Sequence, residues 1–323
     1  MLNRRHLLAG SAATLLGAGV TPRSLAQAVK KPVHIIVGFP AGGGTDVMAR
    51  VIGEALRGSY ASTVLVENKA GASARIAVEY VKNAEPDGSV MLFTPDFPIT
   101  LYPHSFKTLS YDPLKDFVLV GMVSVNPTCI VVHPSLGVQS LAELTAYVKG
   151  KALSYGSAGQ GTITNLTGEL YKHLAGKLNI QHVPYKGGGP AMQDLIAGHV
   201  PIITPIMSSA VLAQHRAGKA RILAVNSPAR LKAAPEIPTA IESGMPEMNV
   251  QVFNAVFGPA GMPKDILERL RGVSQKVLQD SAFVLEVEKS GAQVLNTDDP
   301  DRFLRDEVTR WSRTIKEIGF KIG

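Results

Sequence analysis

Val33-His34-Ile35-Ile36-Val37-Gly38-Phe39-Pro40-Ala41-Gly42-Gly43-Gly44-Thr45-Asp46 decides how the rest of the chain is read. The apolar run from Val33 to Phe39 has the character of a buried strand, and Pro40 to Gly44 that of a turn with little side-chain bulk. Helical spacing follows at once, with Met48, Ile52, Ala55 and Leu56 on one face and Thr45 or Asp46 placed to cap it. A strand feeding a helix through a glycine turn is the building unit of an α/β fold.

The unit recurs in both directions along the chain. Thr63 to Glu67 reads as a strand, and Asn68-Lys69-Ala70-Gly71 leads from it into helical spacing from Ile76 to Asn83. Val90 to Thr94 follows the turn Pro86-Asp87-Gly88. Ser140 and Glu143 have capping-box spacing ahead of a helix from Leu141 to Lys149. Leu153 to Gly156 is a short strand, and the glycine-rich turn Ser157 to Thr162 precedes a helix carrying Leu166, Leu170 and Leu174 on one face. Pro190 and Gly198 bracket another helix, and Ile222 to Val225 is a further strand. Pro263 and Pro300 open helices in the C-terminal third, with a short strand at Val294-Leu295 between them and Trp311 facing inward. Strand alternating with helix predicts parallel, doubly wound sheets, whose ligands sit where strand ends meet helix starts.

At 323 residues and 45% apolar content the chain is long enough for two lobes with their own cores. Arg4 and Arg5, the apolar run Leu7 to Val20 and Ser24-Leu25-Ala26 form an export signal cleaved after Ala26; the paired arginines fit a twin-arginine subclass only in part. Its loss removes three arginines and no acid, lowering the formal charge from +7 to +4. The remaining basic residues are scattered between acids, which excludes a nucleic-acid footprint. Cys129 is the sole cysteine and lies in an apolar run, so it reads as a buried, inert thiol.

The two glycine-rich turns carry the chemistry. A helix start leaves backbone N–H groups unpaired and carries partial positive charge, so it holds an anion without a basic side chain. Thr45 follows Gly44 where a nucleotide-binding P-loop needs Lys, and Gly156, Gly159 and Gly161 fall in the wrong order for a dinucleotide fingerprint. Tyr155 stands where a nucleophile elbow needs Gly, and no pair of the eight histidines has metal-ligand spacing. An enzyme would need a nucleophile–base pair, and no sequence motif supplies one.

With these turns placed, the chain resembles the substrate receptors of tripartite tricarboxylate transporters, the TctC or Bug family. The likeness rests on Val37 to Asp46, Val66 to Lys69, Tyr111 to Phe117, Tyr155 to Thr162, His182 to Gly187, Ala217 to Lys219 and Gly258 to Pro263, in that order. The resemblance implies an α/β, type II periplasmic-binding-protein fold: two doubly wound lobes around a ligand cleft, joined by crossovers near Val118–Val125 and Val250–Phe257. Residues 27–125 and 251–323 would form one lobe and 126–250 the other.

The resemblance also implies a periplasmic receptor, without cofactor or metal and monomeric, that passes a small carboxylate to transporter subunits. A sensor presenting its closed form to a signalling receptor would need the same clamp. One carboxylate would be held by Phe39, Pro40, Ala41, Gly42, Gly43, Gly44, Thr45 and Asp46 from the first turn and by Ser157, Ala158, Gly159, Gln160, Gly161, Thr162 and Thr164 from the second. Arg75, Asp96, Phe97, Tyr185, Pro205, Met207 and Ser208 would shape the far end. Pro201 and Pro205 replace acids common in the family, which disfavours an amino-acid ligand. Arg75 stands where the family commonly has Asn, and Ala74 where it has Gly.

Overall fold

The computed structural model describes residues 31–42, 44–289, 291–297 and 299–322. The expected export signal and Gly43 lie outside these residues. The described strands are β1 (Val33–Val37), β2 (Val64–Asn68), β3 (Val90–Pro95), β4 (Phe117–Pro127), β5 (Cys129–Val132), β6 (Leu153–Ser157), β7 (Ile180–Pro184), β8 (Ile202–Ile203), β9 (Arg221–Val225), β10 (Gln251–Pro259) and β11 (Gln293–Val294). They form two sheets, in the orders β11-β4-β10-β3-β1-β2 and β7-β6-β8-β5-β9.

Both faces of each sheet are covered, which is why the strands read as unbroken apolar runs. Along β1, Val33, Ile35 and Val37 pack under the helix Gly44–Leu56, while Ile36 faces the helix Arg75–Lys82 on the opposite side. In β5, Ile130 and Val132 point to one core and Cys129 and Val131 to another. Cys129 is fully buried, and burial pushes its thiol far up from the ordinary value.

The sheets are mixed rather than parallel throughout. β1 pairs parallel with β2 and β3, and β6 with β7 and β8, as the strand–helix alternation predicts. β10 runs antiparallel to both β3 and β4, and β5 antiparallel to β8 and β9. These exceptions arise where the chain passes between sheets. β4 leaves the first sheet through Thr128, and β10 returns to it after Val250, so each meets strands running the other way. The expected crossovers are these two long strands, paired from Gln251 opposite Pro127 to Pro259 opposite Phe117.

Where they cross, three connectors close a ring of backbone hydrogen bonds. Thr128 N–H donates to the Val250 carbonyl (2.9 Å), Val250 N–H to the Asn226 carbonyl (3.0 Å) and Asn226 N–H to the Thr128 carbonyl (2.8 Å). The Thr128 hydroxyl donates to the Val250 carbonyl at 3.0 Å and accepts from Asn226 Nδ2 at 2.9 Å. All three residues are fully buried, so bulk solvent does not replace a bond lost from the ring.

The last helix, Pro300–Ile318, crosses the boundary between the sheets. Trp311 and Ile315 join one core with Ile163, Leu166 and Leu170, and with Phe97, Leu101 and Tyr102 from the end of the first sheet. A helix at Ser281–Lys289 falls in a stretch to which the sequence reading assigned no element.

Replacing Thr128 by the isosteric Val leaves Asn226 Nδ2 buried without its acceptor. Urea denaturation should show a loss of about 1–3 kcal/mol; a loss below ~0.5 kcal/mol would mean that the Thr128 hydroxyl does not reinforce the backbone ring.

Candidate ligand-binding site

The first glycine turn leaves β1 at its carboxyl end and enters the helix Gly44–Leu56. That helix begins before either residue expected to cap it. Asp46 already lies in its first turn, and its buried carboxylate reaches back to Gly42 N–H at 2.9 Å. The same carboxylate accepts from Arg50 Nη2 (2.9 Å) and from Asn68 Nδ2 (2.9 Å), whose amide also donates to the Phe39 carbonyl (2.9 Å). Burial raises the Asp46 pKa, but the bonds from Arg50, Gly42 and Asn68 outweigh it and leave the group below its ordinary value. A charged Asp46 thus braces the turn from within and occupies the Gly42 amide.

The second turn, between β6 and the helix Ile163–Leu174, is braced in the same manner. Ala158 N–H donates to Thr164 Oγ1 (2.9 Å), Gly161 N–H to Asn165 Oδ1 (3.0 Å) and Gly159 N–H to Ser157 Oγ (3.2 Å). Thr162 caps the helix by accepting from Asn165 N–H. The exposed tip is Gln160, and helix geometry leaves the N–H groups of Ile163 and Thr164 without intrahelical acceptors. Gly159 (φ 146°) and Gly161 (φ 80°) supply the backbone that this tight path needs.

Sequence reasoning missed one partner here. Ser157 Oγ lies 2.7 Å from His182 Nε2, a nucleophile–base pairing that spans adjacent strands and that no short motif encodes. Ser157 is nearly fully buried, and its hydroxyl also lies 3.1 Å from the Gly159 carbonyl, so the pair fixes the turn. Burial lowers the His182 pKa, keeping the ring a neutral partner for that hydroxyl. Two further features went unseen. Asn68 braces the first turn from the next strand. Ser124, Asn126 and Asn254 form a polar row across β4 and β10.

The remaining candidates fall into distinct settings. Asp96 follows β3 and is fully buried, with Oδ2 accepting from Thr100 Oγ1 at 3.0 Å and Oδ1 without a partner. Burial, with help from Glu307 and against the Thr100 hydroxyl and Arg310, pushes its carboxyl well above the ordinary range. Phe39 and Phe97 meet edge to face at 5.9 Å, and Phe97 packs in the core with Tyr102. Tyr185 lies over Gly156 and donates its hydroxyl to Asp194 at 2.8 Å; burial and Asp194 push its pKa up to about 12. The Pro205 carbonyl accepts from Cys129 N–H, Met207 is buried against Pro127 and Asn126, and Ser208 caps the helix Ser209–Arg216. Thr204 ties this segment to the second turn, through the Thr164 and Gly156 carbonyls. Pro201 stands apart, lining a surface hollow with Ser154, Asn179 and Gln181 at the starting ends of β6 and β7.

Arg75 opens the helix Arg75–Lys82 after three consecutive left-handed non-glycine residues, Ala72, Ser73 and Ala74. Its guanidinium lies 4.5 Å from the centre of the Phe106 ring, and Nε donates to the Ala72 carbonyl at 3.0 Å. Phe106 Cε2 in turn reaches within 3.5 Å of where a Cβ on Gly161 would stand. The two turns are thereby linked through the chain of rings Phe39, Phe97, Tyr102 and Phe106.

Residues 48–320 match the family described as the tripartite tricarboxylate transporter family receptor. The chain is 34% identical to the protein BugT of Bordetella pertussis, over 99% of this chain and 100% of that one. Among solved structures, periplasmic binding protein BugD superposes with a TM-score of 0.80 at 32% identity, over 90% of this chain and 98% of its own. An R. palustris protein solved with adipate gives 0.82 at 29% identity, over 89% and 97%. MatC from Rhodopseudomonas palustris, with malate bound, gives 0.79 at 26% identity, over 88% and 98%.

Because the folded-state pKa of Asp46 lies below its ordinary value of 3.8, its contribution is complete above that pH and lost as pH falls through the lower native value. Asp46→Asn should therefore cost about 1–3 kcal/mol at pH 7. Urea melts at pH 7 and pH 3 should show the gap between variant and parent narrowing in acid; an unchanged gap would show that the charge is not what braces the turn.

Proposed function

This chain belongs to the tripartite tricarboxylate transporter receptor family, and on that premise we propose that it is a periplasmic receptor closing on a small mono- or dicarboxylate. The closed form delivers the acid to a membrane transporter of the tripartite tricarboxylate type. The reading is carried by the two braced turns, 39–46 and 157–164, one on each sheet at the carboxyl end of its strand. Each precedes a helix start, where amides and the helix dipole favour an anion.

In this reading residues 27–125 and 251–323 form one lobe and 126–250 the other, and closure moves the lobes as units about the crossing point with its hydrogen-bond ring kept intact. The first turn and Ile163–Thr164 grip one carboxylate, while Arg75, Phe97, Tyr185 and residues 205–208 bound the remainder. Adipate and malate in the similar structures support an acid ligand. Pro205, standing where the family commonly has an acid, supports a ligand without an ammonium group, since a buried cation needs a charged partner. Ser157 and His182 act as braces and carry out no chemistry, and the receptor works as a monomer.

Native mass spectrometry of the protein purified from the periplasm should reveal a small acid that leaves on denaturation. In a thermal-shift panel, the right acid at a hundredfold over Kd should stabilise by about 2.7 kcal/mol, a rise of several degrees in Tm. An amino acid emerging as the tightest ligand would sink the proposal.

A further inference from the structure

Arg75 is held by two contacts, one to its own backbone run and one to a ring. Behind it, the left-handed run Ala72–Ala74 is pinned by Tyr102, whose hydroxyl donates to the Ser73 carbonyl at 3.0 Å. Ala74 is fully buried and sits where a Cβ on Gly38 would fall, so this run presses on the root of the first turn. Below, the guanidinium lies over Phe106, itself wedged against Tyr102 at 4.8 Å. Nε is used by the Ala72 carbonyl. The terminal nitrogens form no ion pair with any described carboxylate, and Glu79, one helical turn on, is taken up by Ser110.

A planar cation stacked on a ring and lacking a counter-charge presents a two-donor fork ready for a carboxylate. Ala74 joins Arg75 to the root of the first turn and Phe106 joins it to Gly161 of the second, so the fork borders the proposed site, where the remainder of the ligand lies in the reading above. We propose that Arg75 is the specificity-determining residue of this receptor. It selects acids carrying a second anionic group, so that the ligand class is a dicarboxylate rather than a monocarboxylate or a neutral-ended acid. The inference rests on the carboxylate reading above and narrows it.

The test is titration calorimetry on the purified mature protein, using α,ω-dicarboxylates of four to six carbons and their half-methyl esters. The esters keep one carboxylate and the chain length but lose the second charge. The wild type should bind a diacid about tenfold or more tightly than its half-ester. Arg75→Gln should collapse that ratio towards one, and Arg75→Lys, which keeps the charge but loses the fork, should retain only part of it. The salt dependence of diacid binding should also weaken in Arg75→Gln. A diacid-to-ester ratio unchanged by Arg75→Gln, in a protein that still binds acids, would overturn this inference and leave the carboxylate reading standing. A wild type that binds none of these acids, while another carboxylate stabilises it in the thermal-shift panel, would likewise overturn this inference alone; a wild type that no carboxylate stabilises would overturn both. Melting curves of each variant, read alongside, separate loss of binding from loss of fold.

Discussion

The ring of backbone hydrogen bonds among Thr128, Asn226 and Val250 is the constraint from which the rest of the architecture follows. It gathers the two places where the chain changes sheets and the end of β9 into one buried point. From there β4 and β10 run back together as paired antiparallel strands at the centre of the first sheet. The Asn226 side chain takes part through its amide nitrogen, which donates to the Thr128 hydroxyl. Each missing bond of this kind costs on the order of 1–3 kcal/mol, which makes the crossing point far harder to rearrange than any surface contact.

What the two turns share is internal bracing. Asp46 and Asn68 occupy the polar groups of one turn, and Thr164, Asn165 and His182 occupy those of the other. A turn whose amides are already engaged does not collapse around whatever enters. It presents a fixed shape, and only the outward amides at the helix starts remain to be answered. Glycine makes these paths possible, but polar side chains brought from neighbouring strands and helices hold them.

How much of this could be read in the sequence depended on distance along the chain. β1 and its turn were plain, because burial on both faces yields a continuous apolar run and glycines mark where it ends. Ser140 was equally plain, and its hydroxyl does accept from Glu143 N–H. The direction of β10 was hidden, since its partner β3 lies more than a hundred residues earlier and nothing local records which way they run. Asp46 was expected to act at its helix start; that it also binds Asn68 depends on β2 lying beside β1. The left-handed run Ala72–Ala74 was invisible for another reason. None of its residues is Gly, Asn or Asp, the types that announce such backbone, and it is held by Tyr102 from outside.

The sheet order also fixes a timetable for folding. Every strand of the second sheet lies between Cys129 and Val225, so that sheet can assemble once those residues are available. The first sheet cannot be completed until β10 arrives to fill the gap between β3 and β4. Until then those two strands expose unpaired edges, the surfaces most prone to pairing with another chain. Trp311 seals the boundary only when the helix Pro300–Ile318 docks, a contact between residues far apart in sequence. A protein built in this order gains from being kept unpaired until its C-terminal third is present.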